Sequence, residues 1–412
     1  MPSRVSDDDF EVNHRAFGQQ KQYLDLSAAK ELPESHAWTT SADGDVVVGG
    51  GGAEESIPVV DLASKSGAAA EQIGRACKTW GAFQVINHGI SGELLGRVEA
   101  AGKRLFSLPL HQKMRAARSP NGVSGYGVAR ISSFFPKLMW SEGFTIVGSP
   151  LEHSRLLWPQ DFNFFCEVVE EYEKEMKKLA GRMMKLILES LGVAEEDAKW
   201  AMESKGRCSA LQLNSYPACP DPGRAMGLAE HTDSTLLTIL HQNNTSGLQV
   251  FRQATSTAAG AWVTVPPIPG ALVINAGDLL HILSNGLYHS VLHRAVVNRS
   301  RHRISVAYLY GPPPGIKISP LQKLVAEGQP PLFRAITWSE YLRTKAKHFD
   351  KALSSVRLIC APRNAGFSDT NDHNRVQIHK ACFTQSTYLN SGTVVGFPKY
   401  QRVEGVEGST EL

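Results

Sequence analysis

The sequence lacks any long run of apolar residues. No stretch reaches the roughly 18 consecutive apolar residues that a membrane-spanning helix requires, so we expect no membrane insertion. An excess of charge of one sign is also missing, because 43 Lys and Arg residues nearly balance 40 Asp and Glu residues and leave a formal net charge of +3. This balance offers no electrostatic case for a nucleic acid or a membrane surface as a partner.

Cysteine is scarce, and no two cysteines have the Cys-x-x-Cys spacing. The six cysteines are at positions 77, 166, 208, 219, 360 and 382. Isolated thiols disfavour a disulfide or zinc framework and are typical of a protein in a reducing compartment. The first ten residues are acidic and polar, which predicts neither a signal peptide nor a transit peptide. We therefore expect a cytoplasmic protein, and we expect it to be a monomer.

The composition is that of an ordinary globular protein. Of its 412 residues 42% are hydrophobic and 20% are charged, which is enough for a large core. Changes of pattern divide the chain into five ranges. These are a flexible amino-terminal segment at 1–55 that contains the run Gly49–Gly52, an α/β region at 56–190, a β-rich core at 205–312, a helical region at 313–376 and a disordered tail at 377–412.

Two kinds of periodicity predict the main elements. From about Asp161 to Leu191, apolar residues recur mostly at steps of three and four, which predicts one long helix with a single buried face. From Ser209 onward, short β-rich runs are separated by Gly, Pro and Asn clusters, which predicts a barrel or a sandwich. Helical periodicity returns from Thr337 to Val356. The predicted strands of the core lie at 210–214, 236–240, 248–251, 262–265, 271–275, 290–297 and 303–310.

Two histidines and an aspartate in the β-rich core form a candidate metal site. His231 and Asp233 lead into the predicted strand at 236–240, and residues two positions apart in an extended chain share a face. His293 is the proposed third ligand. Two imidazoles and one carboxylate hold Fe(II) on one side and leave its other coordination positions open, as oxygen chemistry requires.

A His-x-Asp triplet alone is weak support for a metal site, because the sequence contains a second one. His348 and Asp350 lie where the sequence predicts a helix. Positions two apart on a helix point to different sides, so we expect a surface or packing role for this pair.

Other histidines compete for the third ligand position, namely His281, His289 and His302. His293 is favoured by its context. The polar residues around Asn298 predict a hairpin turn, which would place His293 opposite Arg303 with both side chains facing the same interior. We expect hydrogen-bonded core or loop positions for His281 and His289.

Arg303 and Ser305 are two positions apart in the last predicted strand of the core. The planar guanidinium of arginine binds a carboxylate through two charge-assisted hydrogen bonds. No acidic residue lies near Arg303 in its own strand, so the expected partner is a ligand carboxylate. Asn214 and Tyr216 have the same spacing at the start of the core, and Tyr216 offers a third donor unless its ring serves packing alone.

Taken together, these residues resemble the plant Fe(II)/2-oxoglutarate-dependent dioxygenases. The resemblance extends to segments at 57–62 and 80–89 and covers about Ile57 to Val376. It implies a fold that is mainly β with flanking helices, in which a double-stranded β-helix, or jelly roll, forms the core. It also implies Fe(II) as the metal, 2-oxoglutarate and O2 as co-substrates, and ascorbate as a reductant.

The resemblance also implies a role for each candidate residue. The implied metal ligands are His231, Asp233 and His293. The residues implied to bind 2-oxoglutarate are Arg303, Ser305, Tyr216 and Asn214. In the implied reaction, oxidative decarboxylation of 2-oxoglutarate to succinate and CO2 accompanies hydroxylation of a second, small-molecule substrate.

Further segments resemble one branch of the family, the gibberellin 3-oxidases. They are Gly125–Phe144 and His231–Phe251, with agreement also at Ala307–Pro313 and Asn371–Arg375. This likeness implies 3-beta-hydroxylation of gibberellin precursors to bioactive gibberellins. Such substrates are rigid apolar diterpenoid acids, for which an apolar pocket with one cation is suited.

Arg130 is the hypothetical partner of the substrate carboxylate, with Tyr126 and Phe135 as further candidate substrate residues. Arg130 lies in an apolar neighbourhood that runs from Ile131 to Trp140. The alternative is a loop arginine in solvent, which is the commoner position for arginine.

Several other functions stay open at the level of sequence. The same ligands suit a gibberellin 20- or 2-oxidase or a flavonoid hydroxylase, although the 125–144 segment favours a 3-oxidase. A non-catalytic hormone-binding protein on the same barrel is disfavoured, because it has no need of an anchored co-substrate. A zinc hydrolase is disfavoured by Arg303 and by the lack of a nearby general-base carboxylate motif.

Overall fold

The structure, a computed structural model, describes residues 24–38, 56–120, 122–201, 209–253, 260–326 and 329–358. The glycine run at 49–52 and the tail predicted at 377–412 lie outside the described residues. Within these ranges the strands are β1 (Val59–Asp61), β2 (Ala82–Ile86), β3 (Gly125–Gly127), β4 (Glu142–Ile146), β5 (Ser209–Tyr216), β6 (Leu228–His231), β7 (Leu237–Gln242), β8 (Leu248–Arg252), β9 (Ala261–Thr264), β10 (Leu272–Ala276), β11 (His293–Ala295), β12 (Arg303–Tyr310), β13 (Lys317–Ile318) and β14 (Ile336–Thr337).

The helices of the same ranges flank these strands. They are α1 (Ser66–Thr79), α2 (Gly92–Phe106), α3 (Leu110–Lys113), α4 (Leu151–Leu157), α5 (Asn163–Ser190), α6 (Asp278–Leu283), α7 (Trp338–His348) and α8 (Ala352–Ser355). In the part of the chain that the structure describes, no helix combines the length and the apolar composition needed to cross a membrane.

Two sheets enclose the centre of the molecule. The larger has the strand order β1-β2-β10-β7-β12-β5-β4-β3, in which β1 and β2 are parallel and the other pairs are antiparallel. The smaller has the order β6-β11-β8-β9. From β5 to β12 the chain passes back and forth between the sheets, apart from the β8–β9 pair. This is the predicted jelly roll with flanking helices.

The long helix α5 covers one face of the larger sheet together with α1 and α2. The stripe predicted from its sequence is confirmed, since all seven of its apolar residues are buried: Val168, Tyr172, Met176, Leu179, Met183, Leu186 and Ile187. Burial of a large apolar side chain contributes about 1.5–3 kcal/mol, so this stripe anchors α5 firmly. A second apolar cluster, which includes Leu240, Leu248 and Val250, contains residues from both sheets.

The hairpin predicted after His293 is not formed. β11 pairs with β6 and β8, where His293 lies opposite His231 and Val250. β12 pairs with β5 and β7, where Arg303 lies opposite Tyr216. The prediction is wrong because the chain crosses from the smaller sheet to the larger one between these strands. His293 and Arg303 nevertheless line the same cavity.

Part of the amino-terminal segment that we expected to be flexible is packed. Trp38 donates from its backbone N–H to the carbonyl of Arg224 at 2.7 Å and from its indole to the carbonyl of Leu138 at 2.9 Å. Leu26 is buried in a small apolar cluster beside Trp140. The order of residues 24–38 comes from these contacts with distant segments, which local composition does not reveal.

The carboxy-terminal helix is shorter than predicted. Thr337 begins α7 with a capping box, in which the side chains of Thr337 and Glu340 each accept from the other's backbone N–H. The helix ends at His348 because Phe349 has a left-handed φ of 42°. α8 follows as a separate short helix.

We expect Gly81→Ala to destabilise the fold much more than Gly89→Ala. Both glycines have positive φ, 69° and 88°, which costs an alanine about 1–2 kcal/mol. Only at Gly81 would the new Cβ lie 2.4 Å from a backbone oxygen, that of His289, whereas nothing lies within 4 Å at Gly89. Urea unfolding should show a loss of about 3 kcal/mol or more for Gly81→Ala. Equal losses for the two variants would contradict this packing.

Candidate active site

Two neighbouring strands of the smaller sheet bring the predicted metal ligands together. His231 ends β6 and His293 begins β11, and the two residues lie directly opposite each other in the ladder. Asp233 follows β6 by two positions. Its Oδ1 lies 3.7 Å from Nε2 of His231 and 3.9 Å from Nε2 of His293. One ligand atom from each residue lies within 4.8 Å of the others, so the three side chains converge on one point.

Backbone carbonyls orient both imidazoles. Nδ1 of His231 hydrogen-bonds to the carbonyl of Ala229 at 2.8 Å, and Nδ1 of His293 to that of Val291 at 3.2 Å. A carbonyl only accepts, so each Nδ1 carries the proton and each Nε2 keeps its lone pair for a metal. Oδ2 of Asp233 is buried and has no hydrogen-bond donor among the described residues, so its lone pairs are left for a cation to coordinate. The residues present therefore fit a divalent metal.

The local electrostatics favour the protonation states that bind a metal. Burial lowers the pKa of His231 to about 4, and repulsion from His293 adds to this effect. Burial is the largest influence on Asp233 and by itself raises its pKa, but His293, His231, Thr238 and Lys345 together lower it more, so the net shift of the pKa is downward. A neutral imidazole and an ionised carboxylate are the forms that ligate metals.

The alternative ligands lie elsewhere. His348 and Asp350 are exposed at the end of α7, on either side of the residue that breaks the helix. Nδ1 of His281 hydrogen-bonds to a backbone carbonyl, and Nε2 of His302 to a serine hydroxyl. None of these residues, nor His289, lines the cavity that contains the converging triad.

The predicted carboxylate site is assembled by strand pairing. Arg303 lies opposite Tyr216, and Ser305 opposite Asn214, on the adjacent strands β12 and β5. Arg303 is 2% exposed and donates to Oε1 of Gln242 at 2.8 Å, while its Nε has no hydrogen-bond partner in the described ranges of the chain. No carboxylate among the described residues forms an ion pair with it. A buried guanidinium with an unused donor is suited to a ligand anion.

One cavity of about 290 Å³ between the sheets joins the two sites. The three metal-ligand candidates and the four co-substrate candidates all line it. Sequence analysis thus named seven residues from separate segments that the fold brings to one space. The volume is near the lower end of the range for small-molecule pockets, about 300–1,000 Å³.

Of the three predicted substrate residues, only Arg130 lines the cavity. Tyr126 is buried away from it and donates from its hydroxyl to Oε1 of Glu142 at 2.9 Å. Phe135 packs edge-on against Phe349 at 5.6 Å between ring centroids. The assignments of Tyr126 and Phe135 are therefore corrected, because neither side chain is on the cavity wall.

Sequence analysis missed other residues of the wall. Phe134 and Phe349 stack with their ring centroids 4.5 Å apart, and both line the cavity, where Phe134 remains 37% exposed. Gln242, which holds Arg303, is two positions beyond Leu240 on one face of β7. Because alternate residues of a strand share a face, this spacing is the sequence signal that would have predicted Gln242 on the same face as Leu240. No local signal pairs Phe134 with Phe349.

Comparison with known families finds two matches. Residues 57–163 match the family described as non-haem dioxygenase in morphine synthesis N-terminal. Residues 207–312 match the 2OG-Fe(II) oxygenase superfamily. The second match contains the metal triad, the four co-substrate candidates and Gln242.

Curated relatives extend the likeness over most of the chain. Gibberellin 3-beta-dioxygenase 1 of Pisum sativum is 58% identical over 370 residues, which cover 88% of this chain and 95% of that protein. Gibberellin 3-beta-dioxygenase 1 of Arabidopsis thaliana is 57% identical over 338 residues, which cover 81% and 92%.

Solved structures agree with these relatives. JOX2 in complex with 2OG, Fe and JA is 32% identical, with a TM-score of 0.69 and coverage of 81% of this chain and 96% of that one. The rice dioxygenase for auxin oxidation is 27% identical, with a TM-score of 0.61 and coverage of 74% and 100%. The chain belongs to the 2OG-Fe(II) oxygenase superfamily, as a dioxygenase that depends on Fe(II), 2-oxoglutarate and O2.

Proposed function

We propose that the protein is a gibberellin 3-beta-dioxygenase, which hydroxylates gibberellin precursors at the 3-beta position and thereby forms bioactive gibberellins. The observation that carries the proposal is the 58% identity to the pea gibberellin 3-beta-dioxygenase over 95% of that protein. The cavity supports it, because the metal-type triad, the buried arginine and an apolar chamber share one space.

The triad is proposed to hold the metal. His231, Asp233 and His293 would bind Fe(II), which supplies the activation of O2 when it is bound. The chain's own contribution is to keep the ligands ready. The carbonyls behind both rings fix the Nδ1 protons, and burial keeps His231 neutral, so no proton has to leave that imidazole before metal binds.

Arg303 and Ser305 are proposed to bind the far carboxylate of 2-oxoglutarate. Gln242 accepts from one terminal nitrogen of Arg303 and so fixes the plane of the guanidinium. Tyr216 lies opposite Arg303 in the strand pair, and the centroid of its ring lies 5.0 Å from the guanidinium carbon. Asn214 faces Ser305 across the strand pair and adds a further polar group. The co-substrate is thus held by preorganised donors.

Arg130 is proposed to bind the substrate carboxylate. Among the described residues it has no ion-pair partner, and burial lowers its pKa, so its charge is poorly solvated. Other cations on the cavity wall are already engaged: Arg294 donates to Gln249 at 2.8 Å, and Lys345 binds Asp278. An acid in the cavity therefore finds Arg130 available.

The walls around Arg130 suit an apolar ring system. Apolar side chains form much of the cavity wall, among them those of Ile131, Phe134, Leu240 and Leu248. Such a wall offers few polar atoms that would hold water in place of an apolar ligand. A rigid apolar acid would be oriented by its carboxylate at one end and by shape elsewhere.

We also propose that ascorbate serves as reductant and that the protein acts as a cytoplasmic monomer. Cys77, Cys166 and Cys219 are buried free thiols, as expected in a reducing compartment. Large apolar side chains that are exposed, such as Leu24, Val59 and Leu287, are dispersed along the sequence. Light scattering of the purified protein tests the oligomeric state.

Product identification tests the function. We expect Fe(II), 2-oxoglutarate, ascorbate and the purified protein to convert a 3-deoxygibberellin in air into its 3-beta-hydroxylated product with release of succinate, as read by mass spectrometry. His231→Ala should abolish turnover because it removes a ligand. His348→Ala, at the exposed His-x-Asp triplet, should not. A product hydroxylated at carbon 2 or oxidised at carbon 20 would instead assign a gibberellin 2- or 20-oxidase.

Arg303→Met should weaken 2-oxoglutarate binding about 10- to 100-fold, since a charge-assisted hydrogen bond contributes about 1.5–3 kcal/mol. Anaerobic calorimetry with Mn(II)-loaded protein measures it. Mn(II) affinity should stay unchanged, which shows that the fold is intact. Arg301→Met, at an exposed arginine two residues earlier, is the matched control. Unchanged 2-oxoglutarate affinity in Arg303→Met would remove the role of this residue.

Arg130→Met should raise the KM for the gibberellin about tenfold and leave the KM for 2-oxoglutarate unchanged, because it removes a charge-assisted contact to the substrate alone. Steady-state kinetics with each substrate varied in turn make the comparison. Arg115→Met, at an exposed arginine, serves as the control. An unchanged gibberellin KM would exclude Arg130 as the carboxylate partner.

A further inference from the structure

A buried carboxylate outside the metal triad has an unusual number of partners. Asp278, the first residue of α6, is fully buried. Its Oδ1 accepts from the Ser290 hydroxyl at 2.6 Å. Its Oδ2 accepts from Tyr341 at 2.8 Å, from Thr232 at 3.2 Å and from the ammonium of Lys345. These donors come from three separate parts of the chain.

Asp278 and Lys345 also hold the segment that carries the candidate metal ligands. Thr232 stands between His231 and Asp233. Lys345 donates to the Thr232 carbonyl at 2.7 Å and to the Thr232 hydroxyl at 2.6 Å. The backbone N–H of Asp278 donates to the carbonyl of Asp233 at 2.8 Å. The ligand segment is therefore fixed at its centre and at its end.

The other side of the network is the helix that forms part of the cavity wall. Tyr341 and Lys345 are four residues apart on α7, and so share one face of that helix. Leu342 and Ala346, each one position further along, line the cavity. Because Asp278 binds both Tyr341 and Lys345, it sets the position of this wall relative to the metal ligands.

The energetics favour a positioning role. The Lys345 side chain is 13% exposed and that of Asp278 is fully buried. A buried ion pair gains little stability over an apolar replacement, because the desolvation of both charges offsets their attraction. A fully hydrogen-bonded polar network does, however, specify a single arrangement of the segments that it joins.

We propose that Asp278 and Lys345 are positioning residues that couple the substrate wall on α7 to the metal-ligand segment and so keep 2-oxoglutarate consumption coupled to hydroxylation. In the coupled reaction, one oxygen atom of O2 enters the substrate and the other enters succinate, with release of CO2. In uncoupled turnover, ascorbate donates two electrons and two protons and becomes dehydroascorbate, and the second oxygen atom leaves as water. The inference depends on the proposed function only for the hydroxylation measurement.

The test compares Lys345→Met with Lys347→Met, which changes an exposed lysine on the same helix. In Fe(II)-loaded protein with the gibberellin substrate, we expect Lys345→Met to lower the ratio of hydroxylated product to succinate at least threefold. The KM for 2-oxoglutarate should change less than twofold. Lys347→Met should keep the ratio of the unaltered protein.

A second measurement is independent of the gibberellin. Hydrogen exchange of the Mn(II)- and 2-oxoglutarate-loaded protein should show amides of α7 exchanging about tenfold faster in Lys345→Met, while those of β12 stay protected.

The outcomes separate this inference from the proposed function. Equal loss of hydroxylation and succinate, with an unchanged ratio, would show a purely structural pair and overturn the inference. So would unchanged exchange in α7. If the unaltered protein hydroxylates no gibberellin, the proposed function fails, and the exchange of α7 then decides whether Asp278 and Lys345 position that helix.

Discussion

The pairing of β6 with β11 is the contact on which the site depends. It places His231 directly opposite His293, so two imidazoles that are 62 positions apart in the chain become nearest neighbours across a ladder. Asp233 follows His231 by only two positions, and this places its carboxylate close to both imidazoles. The jelly roll enforces this pairing, because the strands between β6 and β11 are shared out between two facing sheets. The arrangement of the three candidate metal ligands is thus a product of the backbone topology, and the packing around them has only to hold the rings in place.

The same topology makes the cavity chemically asymmetric. The smaller sheet contributes the two histidines, and the larger sheet contributes Arg303, Ser305 and Tyr216. A ligand between the sheets therefore faces imidazoles on one side and a guanidinium with hydroxyl groups on the other. Helix α7 and the 3-10 helix Arg130–Phe134 complete the enclosure with apolar groups and the guanidinium of Arg130. The sheet to which a residue belongs therefore determines whether it joins the candidate metal ligands or the candidate co-substrate residues, and its distance along the chain does not.

Sequence reasoning succeeded where the information is local or where chemistry restricts the residue types. The α5 stripe follows from periodicity, and the candidate metal and co-substrate residues follow from the residue types that suit iron and a diacid, found at alternate positions in one β-rich region. It failed where long-range pairing decides. The hairpin after His293 was wrong because a polar turn cannot show which sheet the next strand joins. Tyr126 was misplaced because its partner, Glu142, lies on a neighbouring strand that the sequence did not predict.

Phe349 leaves the helical conformation at the end of α7, and its ring returns to stack on Phe134. The stack joins two segments that belong to neither sheet, and both rings line the cavity. Aromatic rings can slide and rotate at small energetic expense compared with paired backbone. The wall of the cavity is thus secured here by ring packing between two side chains, whereas backbone pairing between strands secures the segments that carry His231 and His293.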